Sequence, residues 1–254
     1  MKKDRDLISI IGLENIQEVS EGDDIANLIS DAAKKQGITI ENNDIVIVTH
    51  KIVSKSEGRI IDLTKINPSS FAIKLSKQLK KDPRLVEVIL RETKRIVKMR
   101  NKHLITETHH GFVCPNGGID ESNMQGSNKV ALLPKDPDDS AKMIMDRIKE
   151  LTGSKVAVII TDTFGRPWRR GQINVAIGAA GITPLMDYRG RKDAYGRMLK
   201  VTNIAIADEL ASSGELVMNK TDNIPVAIVK GYRIFEGKGI GKDIIRPSSE
   251  DLFR

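Results

Sequence analysis

Short apolar runs separated by polar turns recur along the chain and predict a series of strands. The runs are too short for helices, and several are rich in β-branched residues, which favour extended backbone. The fully apolar run 156–160 further predicts an interior strand. The predicted strands cover residues 7–13, 44–49, 59–63, 104–107, 112–114, 129–133, 156–160 and 226–230.

Apolar residues spaced three or four positions apart predict helices between these strands. Gly37 ends the first of them and Gly153 the fourth. Ile96, Met143 and Ile204 belong to the inward faces of the third, fourth and fifth. The predicted helices cover residues 22–37, 69–81, 83–99, 140–151 and 203–217. Strands and helices together predict an α+β fold in which mixed sheets are covered by helices.

The composition narrows the classes of partner. A chain of 254 residues can bury a substantial core and form one large domain or two intertwined ones. Its 41 basic and 34 acidic residues leave a formal charge of +7, which favours anionic ligands. Aromatic residues make up only 4% and do not alternate with basic ones, so we expect no nucleic-acid partner.

Two further features bear on the compartment. The one cysteine, Cys114, excludes an internal disulfide and is typical of a reducing environment. Residues 1–13 are basic, but their apolar part is too short for a signal peptide or a membrane span. We therefore expect a cytoplasmic protein with no membrane partner.

The strongest candidate chemistry follows the predicted interior strand 156–160. Thr161, Asp162 and Thr163 stand where that strand would leave the sheet, a common place for ligand-binding groups in mixed α/β proteins. A carboxylate between two hydroxyls suits a hard divalent cation such as Mg²⁺ or Mn²⁺. A purely structural alternative is that Asp162 caps the next turn.

A basic cluster comes directly afterwards, formed by Arg166, Trp168, Arg169 and Arg170. Guanidinium groups bind phosphate and carboxylate bidentately, so the cluster predicts an anion clamp with the indole as a stacking surface. Alternatively, the arginines stack on the indole at a surface or subunit contact. The following stretch, 174–182, has almost no bulky side chains, which predicts close backbone approach in a tight interior or a dimer seam.

Other charged positions extend this pattern. Lys51 and Lys55 follow the predicted strand 44–49 and could hold phosphates as point charges, or could be ordinary solvated lysines. Asp120 lies in a glycine-preceded acidic loop and could share a metal ion with Asp162, or could simply form a turn. The segment GKGIGKD near the C terminus lacks the glycine spacing of a phosphate loop.

Carboxylates for Mg²⁺ or Mn²⁺, with lysines and arginines for phosphates, fit metal-assisted phosphoryl transfer. The same set fits a nucleotide-binding protein without turnover. The residues by themselves leave both functions open.

Five stretches carry a resemblance that covers nearly the whole chain. They are GLENI (12–16), DIVIVTHKIVSKSEGRIIDL (44–63), GGIDESN (117–123), VIITDTFGRPWRRGQINVAIGAAGI (158–182) and ADELASSGELVMNKTD (207–222). In this order they resemble successive motifs of the coenzyme F420-0:L-glutamate ligase family, the F420 γ-glutamyl ligases. The segment TDTFGRPWRRGQ is the most specific of these matches.

The resemblance implies a GTP-dependent ligase that adds L-glutamate to coenzyme F420-0, and then a second glutamate by a γ-linkage, through an acyl phosphate. It also implies two divalent cations per site, Mg²⁺ or Mn²⁺, with K⁺ as an activator. Residues 1–254 would form one catalytic unit with a soft subdivision near 66 and 185. Two intertwined subdomains per subunit and an intertwined homodimer are expected.

Site residues follow from the same resemblance. Asp120 and Asp162 would be catalytic and hold one metal ion, and Thr163 would approach the second. The three arginines would contact the phosphodiester or carboxylates of the coenzyme precursor. Contacts to GTP are implied for Leu13, Glu14, Asn15, Ile16, His50, Lys51, Lys55, Asn123, Met218, Asn219, Lys220, Thr221, Asp222, Asn223, Ile224 and Pro225.

The sequence departs from the family pattern at Lys220, where the family places a Glu or Gln oxygen toward the second metal ion. A protonated lysine has only hydrogen-bond donors and cannot ligate a cation. Either Asp222 or water supplies that oxygen, or Lys220 contacts phosphate and the second ion binds more weakly. Related alternatives for the whole protein are an amide ligase of the same fold acting on another carboxylate, and a GTP-binding protein without catalysis.

Overall fold

A computed structural model describes residues 7–122, 128–233, 237 and 239–251 of the chain. Within these residues the chain forms six α-helices and twelve strands. The helices are α1 (Ile25–Lys35), α2 (His50–Ser56), α3 (Ser70–Leu79), α4 (Pro83–Arg91), α5 (Pro137–Thr152) and α6 (Ile206–Met218).

The strands belong to one mixed sheet and three smaller antiparallel ones, so the predicted α+β class is confirmed. They are β1 (Ser9–Gly12), β2 (Ile45–Thr49), β3 (Ile60–Asp62), β4 (Thr93–Arg100), β5 (His103–Thr108), β6 (Val113–Pro115), β7 (Lys129–Ala131), β8 (Ala157–Arg166), β9 (Arg169–Ala180), β10 (Met186–Asp187), β11 (Asn203–Ile204) and β12 (Val226–Lys230). Among the described residues, none of the helices has the length and apolar composition needed to cross a bilayer.

The chain divides into two compact units, each assembled from three separate stretches. Unit 1 consists of Met1–Val19, Asp23–Val53 and Asp136–Ile244. Unit 2 consists of Ser20–Gly22, Ser54–Lys135 and Ile245–Arg254. The positions near 66 and 185, where we expected a soft subdivision, lie inside unit 2 and unit 1 respectively.

The five-stranded sheet of unit 1 carries most of the predicted site. Its strand order is β1-β12-β2-β8-β9, with β2 and β8 parallel and the other neighbours antiparallel. β2, β12 and the first half of β8 are buried on both faces, which explains their continuous apolar sequences. Ala207 and Leu210 of α6 join Ile47 and Ile159 of the sheet in one apolar cluster.

Unit 2 combines the antiparallel sheet β4-β5-β6, the strand pair β3-β7 and the helices α3 and α4. β5 and β6 pair as a hairpin and confirm the predicted strands 104–107 and 112–114 to within one residue at each end. An apolar core joins the helices to the strands through Leu75, Leu79, Leu85, Val86, Ile89, Leu104 and Leu132.

Local signals set the ends of two helices in unit 1. The carboxylate of Asp24 accepts a hydrogen bond from the Asn27 N–H at 3.0 Å and caps α1. Gly153 follows α5 with a φ of 76° and confirms the predicted stop, because glycine enters this left-handed region without a steric penalty.

The predicted helix 83–99 is wrong in its second half. α4 ends at Arg91, and Thr93–Arg100 forms β4, which pairs with β5 and places Ile96 opposite Thr106. Ile96 is therefore an exposed strand residue and does not face inward on a helix. The β-branched residues of this stretch favour a strand, but its pairing partner is a separate segment that helical periodicity does not reveal.

Three smaller predictions also need correction. Met143 of α5 is 56% exposed and does not face inward. Ile204 lies in β11, because the last predicted helix begins at Ile206. α2 was not predicted, since its seven residues are too few for a clear helical period.

Candidate active site

Strand β8 continues through the motif that we expected to lie beyond its end. It runs to Arg166 and pairs with β9 as far as Arg169, so the prediction that the strand leaves the sheet at Ile160 is wrong. Strand β9 gives the polar half of β8 its hydrogen-bond partner. The register shifts between Ile160 and Thr161, so the strand pair is irregular where its buried part meets its polar part.

The register of the two parallel strands brings His50 beside Asp162. Thr49 of β2 pairs with Thr161 of β8, and each is followed by one of these two side chains. His50 Nε2 lies 3.3 Å from Asp162 Oδ1, and the Thr163 N–H donates to the same oxygen at 2.6 Å. His50 is 3% exposed and the Asp162 side chain 15%, so these two contacts to one carboxylate oxygen lie largely out of solvent.

Two further predicted segments reach this edge of the sheet. The Leu13 N–H donates to the Val226 carbonyl at 2.9 Å, and the Thr49 N–H donates to the Pro225 carbonyl at 2.9 Å. The chain after β1, the chain after β2 and the chain before β12 are thus joined by backbone hydrogen bonds. Segments 13–16, 50–51, 162–163 and 218–225 are brought to one end of the unit 1 sheet.

Sequence reasoning missed Gln36, which fixes the segment after β1. Its side-chain amide donates to the Gly12 carbonyl at 3.0 Å, and its oxygen accepts from the Glu14 N–H at 3.0 Å. A glutamine at the C-cap of a helix carries no recognisable signal for this contact. Only the tertiary structure brings it into contact with these partners, which lie 24 and 22 positions away in the sequence.

The loop between α6 and β12 has an unusual backbone for its residue types. Asn219 and Asn223 have φ values of 47° and 55°, and Asn15 in the facing segment has 60°. Asparagine enters this left-handed region more readily than most residues, but the ψ of 170° at Asn219 belongs to a region that favours glycine. The Asn219 amide donates to Asp222 Oδ2 at 2.9 Å and helps to hold the loop.

Lys220 lies in a network with Thr163, Asn174 and Glu215. Its ammonium donates to Thr163 Oγ1 at 2.7 Å, to Glu215 Oε2 at 3.0 Å and to Asn174 Oδ1 at 3.3 Å. The sequence identified two of the four members; Asn174 and Glu215 were missed. Asn174 sits in a run of small residues and Glu215 in an amphipathic helix, where neither stands out.

The remaining predicted residues divide between the two units or lie outside the described residues. Asp120 and Lys55 belong to unit 2, whereas Lys51 belongs to unit 1. Asp120 Oδ1 accepts from the Ser122 N–H at 2.7 Å, which is the local turn contact of our structural alternative. Asn123 lies outside the described residues, and the metal ion shared by Asp120 and Asp162 stays a prediction.

The basic cluster occupies the end of the β8–β9 hairpin. Arg166 pairs with Arg169 across the turn, and its guanidinium donates to the Arg170 carbonyl at 3.4 Å. Trp168 is 65% exposed. The anion clamp stays a prediction. The small residues of β9 do lie in a tight interior, since six of its last seven positions are buried.

Asp162 supplies one carboxylate ligand for a divalent ion at this edge of the sheet. Across the described ranges, no group of three or more His, Cys, Asp or Glu side chains could hold a metal ion. An ion at this edge would therefore need oxygen atoms from substrate or water as well as the carboxylate, as Mg²⁺ accepts. The oxygen atoms around Thr163 fit a second ion poorly, because a lysine ammonium already contacts them.

The partly buried carboxyl of Asp208, in the first turn of α6, makes the stability of the fold depend on pH. Burial raises the pKa of its carboxyl, and a hydrogen bond from the Ala176 N–H at 2.9 Å opposes that rise. The folded protein binds this proton more tightly than the unfolded chain does, so proton binding stabilises the fold. This stabilisation is complete below 3.8, the pKa in the unfolded chain, and is lost as the pH rises through the pKa in the folded protein. The ionised group therefore destabilises the fold at neutral pH.

We expect Asp208→Asn to raise the Tm at pH 7, because the amide oxygen can still accept from Ala176 and the buried charge is removed. The gain should shrink as the pH is lowered from 7 toward 4. Thermal unfolding at a series of pH values measures both. A gain that stays constant over this range would place the effect in packing and contradict the prediction.

Comparisons with known proteins identify the family to which the chain belongs. A family model described as F420-0:Gamma-glutamyl ligase matches residues 14–231. The protein is therefore an enzyme of the ligase class. The chain belongs to the F420-0:gamma-glutamyl ligase family, which confirms the resemblance found in the sequence.

Full-length relatives support the assignment. The chain is similar to the coenzyme F420:L-glutamate ligase of Methanocaldococcus jannaschii, with 47% identity covering 100% of both chains. It is also similar to the enzymes of the same name from Methanothermobacter thermautotrophicus, at 44% identity over 97% of this chain and 99% of that one, and Methanopyrus kandleri, at 46% identity over 94% of each.

Proposed function

We propose that the protein is a GTP-dependent ligase that adds L-glutamate to coenzyme F420-0, and then a second glutamate through a γ-linkage. The names of its relatives support the coenzyme and the amino acid. Nucleotide binding is supported by one observation: four predicted segments meet at one end of the unit 1 sheet. They are 13–16, 50–51, 162–163 and 218–225. Ligands commonly bind at such strand ends.

The proposed reaction has two steps, a phosphoryl transfer and an amide formation. A carboxylate oxygen of coenzyme F420-0 attacks the γ-phosphorus of GTP, the bond from that phosphorus to the β–γ bridging oxygen breaks, and GDP leaves. The glutamate amine then attacks the acyl carbon, a C–N bond replaces the C–O bond, and phosphate leaves with release of the amine proton. Each step neutralises or moves negative charge, which is where electrostatic stabilisation is most effective.

Side chains of the site would bind the metal ion and the phosphates in these steps. Asp162 would hold Mg²⁺ or Mn²⁺, which when bound neutralises phosphate charge, and Asp120 keeps the metal-binding role that the family resemblance implies. His50 and the Thr163 N–H orient the Asp162 carboxylate. Lys51 and Lys55 would contact the GTP phosphates.

The segment after β1 and the loop before β12 would contact GTP largely through their backbones. Gln36 holds the first of these segments, and the Asn219 contact to Asp222 holds the second. K⁺ is proposed as an activator, and the working form as a homodimer. Sedimentation equilibrium of the purified protein measures the number of subunits.

One experiment separates the three candidate functions. Purified protein is incubated with GTP, Mn²⁺, K⁺, L-glutamate and coenzyme F420-0, and the products are identified by mass. Coenzyme carrying one and then two additional glutamates is the expected result. GTP consumption with another carboxylate acceptor only would favour a different amide ligase, and GTP binding without turnover would favour a non-catalytic protein; either result contradicts the proposal.

A further inference from the structure

The ammonium group of Lys220 lies among three oxygen atoms that come from three different elements. Thr163 is on β8, Asn174 on β9 and Glu215 on α6, and their oxygen atoms lie 2.7, 3.3 and 3.0 Å from the nitrogen. A lysine ammonium has three N–H donors and no acceptor. Each donor therefore has an oxygen partner within this group.

These oxygen atoms are held by one another as well as by the lysine. The Thr163 hydroxyl donates to Asn174 Oδ1 at 2.8 Å, and the Asn174 amide donates to Glu215 Oε2 at 2.8 Å. Asn174 is buried, and the Ser212 hydroxyl donates to its backbone carbonyl at 2.7 Å. The three acceptors thus form a built and oriented set.

The set has the composition of a cation site. A hydroxyl, an amide carbonyl and a carboxylate are oxygen ligands that hard divalent cations take in proteins. The set also adjoins Asp162, since the N–H of Thr163 donates to the Asp162 carboxylate at 2.6 Å. The lysine ammonium occupies this position. The three oxygen atoms could bind a metal ion only if they gave up their hydrogen bonds to the ammonium.

We propose that Lys220 is a tethered cation that takes the place of a second divalent ion beside Asp162, so that the protein binds one divalent ion per site. The inference rests on the proposed function for the identity of the first ion. Like charges a few ångströms apart repel, so the ammonium disfavours a divalent ion among these oxygen atoms. Because its three donors already have partners, Lys220 acts as a positioning residue and does not bind phosphate.

The stoichiometry of Mn²⁺ binding tests this directly. Free Mn²⁺ is measured by electron paramagnetic resonance while the ion is added to protein saturated with a non-hydrolysable GTP analogue. We expect one Mn²⁺ per chain for the wild type and two for Lys220→Gln, in which the ammonium is replaced by an amide that offers an oxygen. Lys142→Gln is the matched control, because Lys142 is another exposed lysine of unit 1 (64% against 56% for Lys220) and pairs with Asp146 on α5. This variant should bind one Mn²⁺ per chain.

Lys220 is more than half exposed, so its substitution should leave the fold intact, which thermal unfolding of each variant verifies. Two Mn²⁺ per chain in the wild type, or one in a folded Lys220→Gln variant, would overturn the inference. Glutamate addition by a wild type that binds two ions would defeat the inference and keep the proposed function. One ion in the wild type and two in Lys220→Gln, without any glutamate addition, would support the inference and defeat the proposed function.

Discussion

Replacing Asp162 by Asn is expected to lower kcat/KM for glutamate addition by on the order of a thousandfold, equivalent to about 4 kcal/mol of lost transition-state stabilisation. The substitution removes a negative charge at nearly constant volume. Its amide oxygen can still accept from the Thr163 N–H, so the backbone of β8 should be preserved. Steady-state kinetics at saturating GTP, together with the Mn²⁺ titration, measure the loss of rate and of metal affinity.

Asp146→Asn is the matched control for this substitution. Asp146 is also a carboxylate of unit 1, but it lies on the exposed side of α5 and pairs with Lys142 at 2.6 Å. Its replacement should change kcat/KM by less than about twofold, since exposed ion pairs contribute little. If Asp162→Asn kept both the activity and the metal affinity of the wild type, Asp162 would have no place in the mechanism.

Replacing Gly178 by Ala is expected to give the largest loss of stability. Gly178 lies on β9, and a Cβ there would lie 2.7 Å from the Cβ of Pro137 and closer still to the Pro137 backbone carbonyl. The backbone of residue 241 also comes close, since a Cβ built on Gly241 would lie 2.8 Å from the Gly178 Cα. Because the Pro137 backbone would have to move, we expect a loss of about 3 kcal/mol, which lowers the Tm by roughly 10 °C.

Gly165→Ala provides the control for this prediction. Gly165 lies on the neighbouring strand β8, and no atom lies within 4 Å of the position that its Cβ would take. Its stability should change by less than about 0.5 kcal/mol. Differential scanning calorimetry of both variants makes the comparison, and equal Tm values for the two would contradict the close approach at Gly178.

The sequence by itself determined the elements whose signals are local. The apolar runs of β2, β8 and β12 predicted strands, and the run of β8 an interior strand, because strands buried on both faces need no alternation. The cap at Gly153 and the small residues of β9 were also recognisable, because backbone conformation and side-chain volume are local properties. The family, too, was recognised from local sequence, in the five stretches that resemble its motifs.

Only the tertiary structure decided the features that depend on distant partners. β4 is a strand because β5 pairs with it, and β8 continues past Ile160 because β9 supplies hydrogen bonds. His50 meets Asp162 because β2 and β8 pair in one register. The Lys220 ammonium finds its three oxygen atoms on β8, β9 and α6. Periodicity along one chain segment carries no information about register between segments, so these contacts appear only after folding.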